Sequence, residues 1–188
     1  NGGARFVANL IAEIIQEDGG IQLHMIGHSA GSILLAYMVD FLSQDTISTE
    51  HGLTISSCSL WAPACTMDLF ETSYLPALEA SKIKALNLYT LTDRKEQSDN
   101  CMFIYNKSLL YLVSNSFEGD ASRSVPLLGM ARFVEGHKQI ASMIDSSLLN
   151  WIKTGEPESF KECQMHGDFP NRDKDVVKHT IRLISESI

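Results

Sequence analysis

Five consecutive residues, Gly27-His28-Ser29-Ala30-Gly31, carry the pattern G-x-S-x-G. A serine flanked this way suits a turn so tight that side chains at the glycine positions would strike the adjoining elements. The same turn forces strained backbone angles on the serine itself. Between a strand and a helix, such an elbow presents a hydroxyl for nucleophilic attack. The flanks fit: apolar Ile21 to Ile26 precedes the motif and a long apolar run, Ser32 to Leu42, follows it. That order places Ser29 Oγ at the tip of a sheet, beside the positive end of a helix.

A serine hydroxyl is a weak nucleophile at neutral pH. It needs a base to take its proton and a third group to orient that base. His166 lies late in the chain, before an apolar-periodic segment, and Gly167 after it allows a tight turn. Asp93 ends the run Asn87-Leu88-Tyr89-Thr90-Leu91, where a strand tip would hold a carboxylate rigidly. Glu96 and Asp99 on the same charged segment are rivals, with Asp99 the alternative acid.

The elements that must position these groups follow from periodicity. Phe6 to Gln16 has helical spacing, and Gly19-Gly20 ends it. The strand, elbow and helix come next, and the helix is apolar on most faces, so burial on most sides is expected. Leu53 to Ala62 reads as a strand, and Met67 to Ala80 as a helix interrupted at Pro76. Ile83 to Leu91 reads as a strand running into a charged loop, Thr92 to Asp99. Ser108 to Phe117 is a short helix, Gly119 to Ser124 a loop, and Val125 to Gly136 has no clear pattern. Gln139 to Ile152 reads as a helix, Phe160 to Met165 as a last strand, and Asp173 to Ser185 as a final helix. Strands thus alternate with helices, which predicts one α/β domain over 1–188, with a mostly parallel sheet flanked by helices.

With these residues in place, the chain resembles the α/β-hydrolase superfamily of serine esterases, lipases and related enzymes. The resemblance rests on Gly27-His28-Ser29-Ala30-Gly31, on Asp93 after its strand and on His166-Gly167-Asp168-Phe169. It runs from Ile21 to the end. Leu60 to Cys65 and Ser108 to Ser114 look similar to uncharacterised bacterial members, which assigns no substrate. The resemblance implies Ser29 as nucleophile, His166 as general base and then acid, and Asp93 as the residue orienting His166. It implies the backbone N–H of Ala30 as one oxyanion-hole donor. The reaction would be cleavage of an ester, thioester or amide through an acyl-enzyme, with no cofactor and no metal. An acyltransferase on the same triad and a catalytically silent binding domain are the alternatives.

The family pattern places several strands before the elbow, one of whose loops supplies a second oxyanion donor. Only Asn1 to Gly20 precede the elbow strand here. The expectation is therefore an α/β-hydrolase fold lacking its N-terminal strands, the C-terminal part of a larger domain. A missing N-terminal segment or partner chain would complete it, and the intact mass would exceed 20.8 kDa.

Composition narrows the partners. The chain has 188 residues, 44% hydrophobic and 20% charged, the proportions of a soluble globular domain. A net charge of −8 argues against nucleic acid and anionic membranes, and the small-molecule acyl substrate is what the resemblance implies. No run is long enough for a membrane span. Asn1 to Arg5 lack the signature of a secretory signal peptide, and cytoplasmic placement is the expectation. The four cysteines, Cys58, Cys65, Cys101 and Cys163, form no C-x-x-C pair and read as buried thiols. His28 is expected to pack or bond locally, His24 to be a satisfied core histidine, and His51, His137 and His179 to lie at the surface. Asp168 and Asp173 read as turn and capping residues, and Asp175 beside them marks no metal site.

Overall fold

The computed structural model describes residues 2–43, 53–99, 106–117, 124–155, 160–171 and 174–186. The expected connections at 44–52 and 119–123, together with His51, Cys101 and Asp173, lie outside them. Four strands form one all-parallel sheet in the order β1-β2-β3-β4, with helices against it, an α/β architecture. The strands are β1 (Leu23–His28), β2 (Ile55–Trp61), β3 (Leu86–Leu91) and β4 (Leu149–Thr154). Parallel neighbours need crossovers, and helices supply each one. Helix α1 (Gly3–Glu17) precedes the sheet and α2 (Gly31–Leu42) joins β1 to β2.

Alternation along β2 and β3 feeds a separate apolar cluster on each face. Cys58, Leu60, Leu86 and Leu88 pack with Ala36, Val39, Phe70, Tyr74 and Leu78 on one side. Trp61, Tyr89 and Leu91 pack with Leu110, Leu127, Phe169 and Val176 on the other. All six residues of β3 are buried, as expected of an inner strand covered on both faces.

Between β2 and β3, α3 (Met67–Leu69) and α4 (Leu75–Glu79) flank a π-helical turn, Phe70–Tyr74. The run is not broken at Pro76 as expected. The wider turn lets Leu75 N–H reach Phe70 C=O, and Pro76 then falls in the first turn of α4, where a missing N–H costs little. After β3, the expected charged loop is instead a short helix, α5 (Asp93–Ser98). Helix α6 (Leu109–Leu112) continues into a π-helical turn, Val113–Phe117, and α7 (Ala131–Val134) occupies the stretch with no sequence pattern.

The last strand is not at Phe160 to Met165. Helix α8 (Lys138–Asp145) stops early, and β4 follows at Leu149–Thr154 inside the segment expected to be helical. The stop is Ser146-Ser147, with Ser147 left-handed at φ +60°, where glycine is the usual marker. Residues 161–165 form turns leading to one 3-10 turn, His166–Asp168, before α9 (Asp175–Glu186).

Burial of α1 and α2 also departs from expectation. Helix α1 buries Ala8 and Ala12 and leaves Phe6, Leu10 and Ile14 exposed. In α2, Ala36, Val39 and Leu42 are buried while Leu34 and Tyr37 are exposed. Ile26 on β1, an edge strand, is exposed as well. Among the described residues, no helix is long and apolar enough to cross a membrane.

Candidate active site

Ser29 is the pivot between β1 and α2. Its φ is +52°, a region that favours glycine, so the fold holds a serine at an angle it would not choose. The restraints are visible. Ser29 N–H donates to Trp61 C=O at 3.0 Å, and its own C=O accepts from Ser32 N–H and Ala64 N–H, both at 3.0 Å. Ser32 Oγ adds a fourth bond, donating to Ser29 C=O at 2.7 Å, and accepts from Cys65 N–H at 3.0 Å. Tyr74 Oη donates to Ser32 C=O at 2.6 Å, so the π-helical turn braces the start of α2. Sequence reading missed Ser32: one serine in an apolar run gives no sign that it bridges two loops.

The two elbow glycines differ. A Cβ at Gly27 would sit 2.8 Å from Leu35 Cδ1 and 3.2 Å from the Gly31 and Ser32 backbone, so a side chain there would have to displace Leu35 and press on the start of α2. A Cβ at Gly31 would meet nothing within 4 Å, contrary to the expectation that both positions exclude side chains. A third close approach was not foreseen. A Cβ at Gly129 would lie 2.3 Å from Pro63 C=O, on the loop whose Ala64 N–H holds Ser29.

His166 comes to Ser29 from the far end of the chain. Its Nε2 and Ser29 Oγ are 2.9 Å apart, a hydrogen-bonded pair. Ser29 is half-buried and Ala30 exposed, while the His166 side is buried. The turn carrying His166 is clamped by Asp168, whose carboxylate accepts from Gln164 N–H and Met165 N–H at 2.8 and 3.0 Å. That is the turn-forming part expected of Asp168. Helix α9 anchors the far side through Trp61 Nε1, which donates to Thr180 Oγ1 at 3.1 Å.

Of the two acids, Asp99 meets His166: its Oδ2 accepts the His166 backbone N–H at 3.0 Å. Asp93, the first choice, is engaged elsewhere. It accepts from Tyr111 Oη at 2.7 Å and from Gln97 Nε2 at 2.6 Å. The cause is α5: a short helix intervenes between the strand tip and Asp99, so the residue just past the helix, not the one at the strand end, reaches the His166 backbone. Glu96, the other rival, is fully buried and accepts from Ser108 Oγ.

Burial pulls the His166 pKa down to about 4, the nearby His28 ring adds to this, and Asp99 opposes it. The ring is therefore neutral near pH 7, the state in which Nε2 can accept a proton. His166 Nδ1 is buried with no hydrogen-bond partner among the described atoms. Ala30 follows Ser29 in helical conformation at the start of α2, and its N–H takes part in none of the described hydrogen bonds. A hydroxyl bonded to a neutral imidazole, beside a free helix-start N–H, can add to an electrophilic carbon and hold the negative charge that develops.

His24 bonds to Ser57 Oγ at 2.8 Å, and His137 caps α8. His179 is not a plain surface residue, since its Nδ1 bonds to Tyr89 Oη at 2.8 Å. Cys58, Cys65 and Cys163 are buried and free. No three His, Cys, Asp or Glu side chains converge as a metal site among the described residues. No protein-family model, no curated protein and no solved structure matches this chain.

Proposed function

We propose that the chain carries the catalytic side chains of a serine hydrolase of α/β-hydrolase type, acting on a small-molecule ester, thioester or amide. The observation that supports this best is the 2.9 Å Ser29–His166 bond made from a serine held at φ +52°. Ser29 Oγ attacks the acyl carbon while Nε2 of His166 takes its proton. The tetrahedral oxyanion is stabilised by Ala30 N–H. His166 then gives its proton to the leaving group, and the acyl-enzyme forms. Water, losing a proton to the same nitrogen, releases the acid and restores Ser29.

Asp99 is the orienting acid in this scheme. Its Oδ2 already holds the His166 backbone, and the unpartnered Nδ1 is the donor its carboxylate would take as the ring becomes charged. Ala30 N–H is one oxyanion donor among the described residues, fewer than such sites ordinarily use, and loss of one costs roughly 10²- to 10³-fold in rate. The reading accordingly includes a further segment or partner chain against the open edge of β1, where Ile26 is exposed.

A panel of acyl esters of graded chain length tests the reaction, run on the longest form of the protein that can be expressed. Turnover of at least one ester, abolished in Ser29→Ala, is the expected result. Turnover that survives Ser29→Ala refutes it.

A further inference from the structure

His166 sits in a single 3-10 turn, so its aim depends on what grips that turn. Both polar groups of its own backbone are held by side chains from distant elements. Asp99 accepts its N–H at 3.0 Å, and Nε2 of His28 donates to its C=O at 3.2 Å. The His28 bond spans 138 positions of sequence and starts from the last residue of β1, directly before the nucleophile. The ring does a second job. It contacts the His166 ring, with centroids 5.0 Å apart, and the Phe169 ring, with centroids 6.3 Å apart and planes 25° from parallel. Phe169 is fully buried and belongs to the sheet-face cluster with Trp61 and Tyr89. One side chain thus ties the strand that carries Ser29 to the turn that carries its base.

We propose that His28 is a positioning residue for the serine-nucleophile reaction, fixing the His166 turn through its Nε2–H and its ring. The proposal rests on the hydrolase reading for its role, but not for the contact. The bond to a carbonyl fixes the Nε2–H form of His28. Two rings this close in a buried setting do not both carry charge cheaply. His28 therefore stays neutral while His166 takes the reaction's proton. Among the described residues, the charged and titratable groups near the pair are Asp99 at the end of α5, Asp168 on the His166 turn and Lys174, which pairs with Asp168 from just before α9. The side chain of Ser29 completes the set. Asp99 favours a charged His166, and His28 opposes it.

Two substitutions separate positioning from simple packing. His28→Phe keeps a ring against Phe169 and removes the donor. His28→Gln keeps a donor and removes the second titrating ring. The measurements are the fluorophosphonate labelling rate of Ser29 from pH 4 to 8 and the NMR titration of the His166 ring. His28→Phe should label about tenfold more slowly at pH 8, as a displaced base would. His28→Gln should keep most of that rate and should titrate His166 at higher pH than the parent, because the ring that opposes a charge on His166 is gone. An unchanged labelling rate in His28→Phe, or an unchanged His166 titration in His28→Gln, overturns the proposal. If the parent fails to label while the His166 titration still shifts in His28→Gln, the hydrolase reading falls and the His28–His166 contact stands.

Discussion

Inside the fold His166 titrates near pH 4, against an ordinary value of 6.5, because its ring is buried. Two consequences have definite signs. Labelling or turnover through Ser29 needs the neutral ring, so the rate should climb as pH rises through about 4 and level off before pH 7. For stability, the unfolded chain binds a proton that the folded chain resists. The contribution is therefore complete above about pH 6.5 and is lost as pH falls toward 4, amounting to about 3 kcal/mol. Glu96 works in the opposite direction. Burial raises its carboxyl to about 8, so the stability it lends is present at low pH and drains away as pH rises through 8. Denaturant midpoints of the parent and Glu96→Gln, compared from pH 5 to 9, should diverge upward in favour of the variant. A constant difference across that range contradicts this. The two aspartates part in the same way. Asp99→Asn should lower the labelling rate about 10²-fold or more, whereas Asp93→Asn should leave it near the parent value. Mass spectrometry of labelled protein over time reads both.

At the scale of elements, the elbow is held by unequal contacts, and substitutions should follow them. Gly27→Ala drives a methyl into Leu35 and the α2 backbone and should cost about 2 kcal/mol, while Gly31→Ala should change stability by less than about 0.5 kcal/mol. Ser32→Ala strands the buried Cys65 N–H and should cost about 2 kcal/mol. Urea unfolding midpoints check all three. The pairing of Ser29 with His166 was legible in the sequence because G-x-S-x-G is a local motif and a histidine stands just before the last helix. The choice between Asp93 and Asp99 was not, since it turns on whether Thr92 to Asp99 coils into a helix. Six charged and polar residues give that helix no apolar stripe to announce it. The last strand was misplaced for a related reason. Leu148, Leu149 and Trp151 continue the helical spacing of α8, and the break between them is made by Ser147 rather than by glycine. Gly129, Ser32 and the His28 contact needed the tertiary structure, because each joins segments far apart in sequence.

Over the whole molecule, a mostly parallel sheet, its first three strands and the helix before it were readable from periodicity, and the fourth strand and the burial of the helices were not. Periodicity reports that α1 has an apolar stripe but not which way the stripe faces. Ala8 and Ala12 pack inward, and Phe6, Leu10 and Ile14, spaced four apart, face out. Exposed apolar surface of this kind drives association. Sedimentation of the 188-residue chain should show mass rising with concentration, and Phe6→Glu with Ile14→Glu should restore a monomer. A parent chain that stays monomeric at every concentration contradicts that expectation. The central claim concerns Ser29 and His166 together, and covalent labelling tests it most directly. An intact-mass measurement after fluorophosphonate treatment should show one adduct, mapped to Ser29. The adduct should be absent in Ser29→Ala and formed at least about 10²-fold more slowly in His166→Ala. No adduct on the parent chain in its longest expressible form, or an adduct that persists in Ser29→Ala, would contradict it.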